Sequence, residues 1–407
     1  MLKKIAVADL RLGMFLNAVE GSWMDHGLWR SRFLIDDPER LALVRRSGAK
    51  DCWIDTDKGI DLAAPAAPAA PSPPVVQAAP PAPAPAAPQP EEAPASFESE
   101  TDRARRICDR AKGVVRDTMA DIRKGVRPDL AAMEPVVDDI VASVLRNATA
   151  LISLARLKTP DDYTYMHSVA VCALMVALGK AMGFDLEACR AAGHAGLLHD
   201  MGKARTPVDI LYKPGKLSDE EFTVMRAHPR LGHTLLVEAG VTDSVALDVC
   251  LHHHEKVDGS GYPDRLAGDA ISLMARMGAI CDVYDAVTSS RPYKTAWDPA
   301  DALSQMASWK GHFDQKVFAG FIKTVGLYPA GSLVRLHSGR LAVVVGSSNG
   351  NLRAPLVNVF FSTKSEMGIP VELVNLSHAR TNDRIVAREP RARWNFPHLE
   401  QLWQPAR

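Results

Sequence analysis

Neither sign of charge dominates this chain of 407 residues, since 48 basic side chains stand against 48 acidic ones. The balance excludes the broad basic surface on which nucleic-acid polymers bind, although a small anionic ligand needs only a few local cations. Paired or laddered cysteines are missing too. Cys52, Cys108, Cys172, Cys189, Cys250 and Cys281 show no CxxC spacing and sit mostly among apolar neighbours. That pattern excludes a disulfide framework and argues against a structural zinc, leaving reduced core thiols as the expectation. Long apolar runs are also lacking. No sustained hydrophobic stretch follows Lys3 and Lys4, so no signal peptide is read there, and the run 169–178 is stopped by Lys180, too short for a bilayer. A soluble, cytoplasmic chain without a membrane partner is expected.

The length suggests two or three folded units. Residues 1–62 read as a small α+β domain, with strands at 5–7 and 49–55 and a helix at 36–47. Residues 63–99 are mostly Ala and Pro and cannot bury a core, which makes them an extended linker. From 100 to 328 apolar residues recur three and four apart, and Ser218-Asp219-Glu220-Glu221 and Asp298-Pro299 signal helix starts. This stretch is expected to be one all-helical domain led by a helix at 100–126, through which a homodimer is expected. Short strand patterns at 332–336, 341–345 and 356–361 make residues 329–407 a C-terminal β extension. The fold class is therefore mainly α.

Nine of the 13 histidines fall in the helical segment. His167 lies in an apolar helix, His199-Asp200 closes the run 195–198 and precedes Gly202-Lys203, and His228 follows. His253-His254-Glu255 then leads into the glycine-rich turn 258–263, and Asp282 and Asp285 come last. Each histidine alone reads as an ordinary hydrogen-bonded core residue, and His194, His233 and His252 are left in that role. The ordered set points elsewhere. Imidazole and carboxylate together suit Mn, Fe, Zn or Ni. Adjacent ligands on a helix diverge by about 100°, so each pair can serve two ions, and a carboxylate such as Asp200 can bridge them. Two ions about 4 Å apart clamp a phosphoryl group for in-line displacement.

The segment from about 161 to 325 resembles the HD-GYP family of the HD phosphohydrolase superfamily. The matching motifs are Tyr163-Thr164-Tyr165-Met166-His167-Ser168, Leu197-Leu198-His199-Asp200-Met201-Gly202-Lys203 and His253-His254-Glu255 with Asp258-Gly259-Ser260-Gly261-Tyr262-Pro263. Asp282-Val283-Tyr284-Asp285-Ala286 and Arg291-Pro292-Tyr293-Lys294 complete the likeness. Leu10-Arg11-Leu12-Gly13-Met14 and Gly21-Ser22-Trp23 are similar to a small domain that often precedes HD-GYP domains.

The resemblance implies metal ligation by His167, His199, Asp200, His228, His253, His254 and Asp282. It gives Asp200 and Lys203 catalytic roles, with Lys203 facing the scissile phosphate as a point cation. Arg291 and Lys294 would hold the phosphates of the ligand, a task suited to an arginine fork. Gly261 and Tyr262, in the GYP signature, would shape the substrate site and contact diguanylate cyclase (GGDEF) partners. The implied cofactors are two divalent ions, Fe or Mn first, with Zn or Ni as alternatives. The implied activity is hydrolysis of cyclic di-GMP to linear pGpG, with conversion on to GMP left open. One position departs from part of the family. Members with a glutamate four residues before the first histidine hold a third metal, whereas Tyr163 stands here, which implies two metals and pGpG as the main product. The rival reading is a low-turnover cyclic di-GMP receptor or cyclase-binding module.

Overall fold

A computed structural model describes residues 2–19, 33–46, 50–61, 97–156, 158–159, 162–289, 296–346, 351–394, 396 and 399–403. Gly21-Ser22-Trp23, the linker at 63–95, Arg291 and Lys294 lie outside the described residues. The chain divides into two compact units, Met1–Pro90 and Glu91–Arg407.

In the first unit, β1 (Leu2–Ala6), β2 (Phe15–Val19), β3 (Phe33–Leu34) and β4 (Asp51–Asp55) form a sheet in the order β1-β4-β2-β3, with α1 (Pro38–Arg46) joined to it. Ile5 pairs with Cys52, and both enter a core with Leu10, Met14, Leu16, Ile35, Val44 and Ile54. The sequence pattern marks β1, α1 and β4. It misses β2 and also β3, which is too short to show a period.

The second unit opens with α2 (Phe97–Arg123) and α3 (Glu134–Ala155), followed by α4 (Tyr163–Ala181) and α5 (Leu186–Leu198). A five-residue 3₁₀ turn, Met201–Arg205, precedes α6 (Val208–Leu211), α7 (Asp219–Met225), α8 (His228–Glu238) and α9 (Ser244–His252). Then come α10 (Leu273–Thr288), α11 (Pro299–Ser308) and α12 (Gln315–Val325). Ser218 and Glu221 form a reciprocal capping box at α7, and Asp298 caps α11 with Pro299 behind it. Helix α4 is apolar on nearly every side and is the hub of the core, with α3, α5 and α10 packed around it. With 19 residues it is long and apolar enough to cross a membrane, yet 83% of its apolar stretch is buried inside the protein. Small residues allow these contacts to be close. A Cβ on Gly196 of α5 would stand 2.9 Å from the Cα of Cys172 in α4.

The chain ends in an antiparallel sheet of β5 (Leu333–Leu336), β6 (Arg340–Gly346), β7 (Leu356–Ser362), β8 (Met367–Asn375) and β9 (Ile385–Arg388), ordered β8-β7-β6-β5-β9. A short helix, α13 (Arg391–Trp394), follows. The unbroken apolar run in β6 has a structural cause: Ala342 and Val344 face one cluster with Val334 and Val357, while Leu341 and Val343 face another with Leu399 and Trp403. Arg156 at the end of α3 donates to the carbonyl of Ala330 at 2.7 Å, and Arg388 donates to that of Ala300, tying this sheet to the helices.

Candidate metal centre

Five elements bring the histidines and aspartates to one buried point. His167 comes from the second turn of α4, and Asp282 from the middle of α10. The adjacent pairs lie elsewhere than a helix interior. Helix α5 stops at Leu198, so His199 is its C-cap and Asp200 begins the 3₁₀ turn. Helix α9 stops at His252, which leaves His253 and His254 just beyond it.

Helix ends leave carbonyls unpaired, and the histidines use them. His199 Nδ1 donates to Gly196 O at 2.7 Å and His228 Nδ1 to Met225 O at 2.8 Å, while His253 Nδ1 is shared between Cys250 O at 3.1 Å and Val249 O at 3.0 Å, the latter also accepting from His253 N. A carbonyl only accepts, so these rings carry their proton on Nδ1 and turn a lone pair on Nε2 toward the centre. His228 Nε2 and His253 Nε2 then face each other 3.3 Å apart. Two lone pairs at that distance call for a cation between or beside them.

Asp200 is fully buried at the middle. Its Oδ2 lies 3.4 Å from His167 Nε2 and 3.3 Å from His199 Nε2, and it accepts from Lys203. Its Oδ1 looks the other way, 3.2 Å from His228 Nε2 and 3.7 Å from His253 Nε2. Asp282 Oδ1 is 3.0 Å from His167 Nε2, and its Oδ2 is 3.7 Å from His254 Nδ1. Three overlapping donor groups result, each with all ligand atoms within 4.8 Å: His167, His199 and Asp282; His199, Asp200 and His253; and His228, His253 and His254.

The electrostatics suit a cation. Burial opposes charge on Asp200, but His199, Lys203 and the hydrogen bonds from His167 and His199 hold its carboxyl well below the usual range. Burial likewise opposes charge on Asp282, and His167 and His254 more than offset it. Burial drives the His254 imidazole down to about 3 and keeps His253 far below its ordinary value as well. His167 goes the other way: burial lowers it, yet Asp200, Asp282 and Asp285 raise it to about 9. His199 Nε2 and Asp200 Oδ1 are buried without a hydrogen-bond partner. Anionic carboxylates, the neutral rings of His253 and His254 and the orphaned acceptors together fit divalent metal binding.

Tyr262 borders the centre, its ring stacked on His254 with centroids 4.8 Å apart. The guanidinium of Arg226 lies over the Tyr262 ring at 4.5 Å. Gly261 has no room for a side chain, because a Cβ there would stand 2.4 Å from Lys256 N. Glu255, buried at 2% exposure, accepts from the backbone N–H of Asp264 at 2.7 Å and closes the loop. Every expected metal ligand is thus gathered at one place with Lys203 and Tyr262 beside it. Sequence reasoning assigned nothing to Arg226, Asp285 or Lys158. The i, i+3 spacing of Asp282 and Asp285 was a usable signal for Asp285, whereas Lys158 sits in a connecting segment that offers none.

Fold and centre are those of an HD domain, and residues 135–317 match the model of that family. Residues 2–133 match a domain of unknown function, DUF3391. A Pseudomonas aeruginosa protein named as a cyclic di-GMP phosphodiesterase is 50% identical over 404 residues, covering 99% of this chain and 96% of the relative. The chain belongs to the HD-GYP family of the HD phosphohydrolase superfamily. A Xanthomonas campestris protein named as a cyclic di-GMP phosphodiesterase response regulator is 44% identical over 143 residues, 34% of this chain and 37% of that one. A Vibrio cholerae protein named as a 3'3'-cGAMP-specific phosphodiesterase is 37% identical over 171 residues, 41% and 39% of the two chains. Among solved structures, an HDG"Y"P protein from Bdellovibrio bacteriovorus gives a TM-score of 0.47 at 16% identity, covering 79% of this chain and 98% of that one.

Proposed function

We propose that this chain hydrolyses cyclic di-GMP to linear pGpG, using two divalent ions, Fe or Mn, held in its HD domain. One observation carries the reading: Asp200 aims its two carboxylate oxygens at two different histidine groups. His167, His199 and Asp282 would hold one ion, His228, His253 and His254 the other, and Asp200 both. When bound, such ions supply Lewis-acid charge to a phosphoryl group and a nucleophile at neutral pH. The full-length relative named for the same activity supports the choice of substrate.

The chain's own groups do the rest. Lys203, one-fifth exposed and paired with Asp200, offers an ammonium to the scissile phosphate as charge develops. Tyr262 lays the face of its ring on His254. Arg291 and Lys294 hold the substrate phosphates in this reading, and Tyr163 favours two ions over three. The division 1–62, 63–99, 100–328 and 329–407, a cytoplasmic location, a homodimer through α2 and cyclase contacts through the loop 258–263 belong to the same proposal.

The test is product chromatography after incubation of the full chain with cyclic di-GMP and Mn²⁺ or Fe²⁺, beside a His199→Ala, Asp200→Ala double variant. Release of pGpG by the wild type alone is expected. Turnover by the double variant would overturn the proposed centre. A faster reaction with 3'3'-cGAMP, in line with the Vibrio relative's name, would overturn the choice of substrate. Ligand binding without product under both metals would favour the receptor.

A further inference from the structure

His199, His228 and His253 find backbone acceptors because each sits at a helix terminus. His167 lies instead in the second turn of α4, and among the described residues no backbone carbonyl accepts from its Nδ1. Its Nδ1 proton needs a side-chain acceptor, and Asp285 Oδ2 supplies one at 2.6 Å. That carboxylate is itself fully enclosed, with Ser289 Oγ donating to Oδ1 at 3.2 Å. A buried carboxylate of this kind needs a counter-charge. The ammonium of Lys158, whose side chain is 0% exposed, is paired to the same Oδ2. Lys158 also lies 5.3 Å from the centroid of the Tyr163 ring, and that ring stacks on His167 at 5.9 Å with planes 7° apart. A lysine enclosed this completely has no solvent to serve, so its charge acts on what surrounds it.

We propose that Lys158 is a positioning residue, whose buried ammonium fixes Asp285 as the acceptor that orients His167 at the metal centre. The chain Lys158–Asp285–His167 does with side chains what helix ends do for the other three rings. Outer partners that orient a ligating imidazole typically contribute 10–100-fold to metal affinity. The effect of Lys158 passes through Asp285, so the two residues should not act independently. The inference rests on the reading of His167 as a metal ligand.

The test compares the full-length wild type with Lys158→Met, Asp285→Asn and the double variant. The readouts are metal content by mass spectrometry, Mn²⁺ dissociation constants by chelator competition, and the visible spectrum of the Co²⁺-loaded protein. Each single change is expected to weaken Mn²⁺ binding by about 10–100-fold and alter the Co²⁺ bands. The double variant should bind no more weakly than Asp285→Asn alone. Wild-type affinity in both single variants, tighter binding in Lys158→Met, or losses that multiply in the double variant would each overturn the relay. If Lys158→Met fails to fold, Asp285→Asn, which keeps the volume, still decides the carboxylate's part. A wild type that takes up no divalent ion would sink the metal-centre reading itself, a result distinct from all of these.

Discussion

Gly202 offers the sharpest mechanical test of the centre, because it is neither a ligand nor a charge. It lies in the 3₁₀ turn between Asp200 and Lys203, pressed against the start of α8. A Cβ on Gly202 would stand 1.9 Å from His228 O, 2.5 Å from Gly232 N and 2.9 Å from Gly232 Cα. All three are backbone atoms, so no side chain can rotate away. Ordinary contact begins near 3.4 Å, so Gly202→Ala must drive the turn and α8 apart by about 1.5 Å. That displacement separates Asp200 from His228, whose present gap is 3.2 Å. Overpacking of this kind costs about 1–3 kcal/mol in stability. A shift of about 1 Å at a reacting centre costs about 100-fold in rate. Urea denaturation and pGpG release should both register the change, with Mn²⁺ content falling alongside. A Gly202→Ala protein with wild-type stability and turnover would refute the claim that backbone contact between turn and helix sets the ligand geometry.

Two further expectations follow from the same geometry. In the metal-free protein His167 keeps its proton up to about pH 9, because Asp200, Asp282 and Asp285 outweigh its burial. A cation at Nε2 displaces that proton, so apparent Mn²⁺ affinity should rise with pH toward about 9, by up to about tenfold per unit, and then level off; affinity independent of pH over that range would contradict the assignment. Arg226→Gln removes the guanidinium over Tyr262 and should lower stability by about 0.5–1 kcal/mol, read as a drop in thermal midpoint. An unchanged midpoint would mean that the stack contributes nothing to holding the loop.

The clustering of these histidines and aspartates was legible because metal chemistry restricts residue type to a few side chains, His, Asp, Glu and Cys, and their order along the chain is fixed by motif. The local geometry was less legible. His199-Asp200 and His253-His254 read as helical pairs whose side chains diverge, whereas both stand past a helix end, where the imidazoles cap carbonyls. Apolar periodicity cannot locate such an end to one residue. Lys158 was invisible for another reason: a lysine between two helices looks like a solvated surface charge until the fold closes over it. Strand β8 was missed because it contains Pro370 and exposes Met367, Val371 and Leu373, so neither its composition nor its burial has a strand's period, and β9 because it spans only four residues.

The charges of the centre also bear on the choice between enzyme and receptor. Asp200, Asp282 and Asp285 are three buried carboxylates, and Lys158 and Lys203 supply two ammonium groups against them. His167, protonated in the metal-free protein, adds a third positive charge, so carboxylates and cations balance in a nearly dry enclosure. A cyclic dinucleotide brings two phosphodiester charges of its own, and the bare side chains of the centre offer them no net attraction. Among the described residues, Lys203 is the one ammonium of the centre left partly open to solvent, and it is already paired with Asp200. Attraction for the phosphates must therefore come largely from divalent cations. A receptor needing only to hold the ligand would be better served by arginines than by buried anions. An arrangement with no net attraction for its ligand until metal arrives is suited to spending that metal's charge on the phosphoryl group as it reacts.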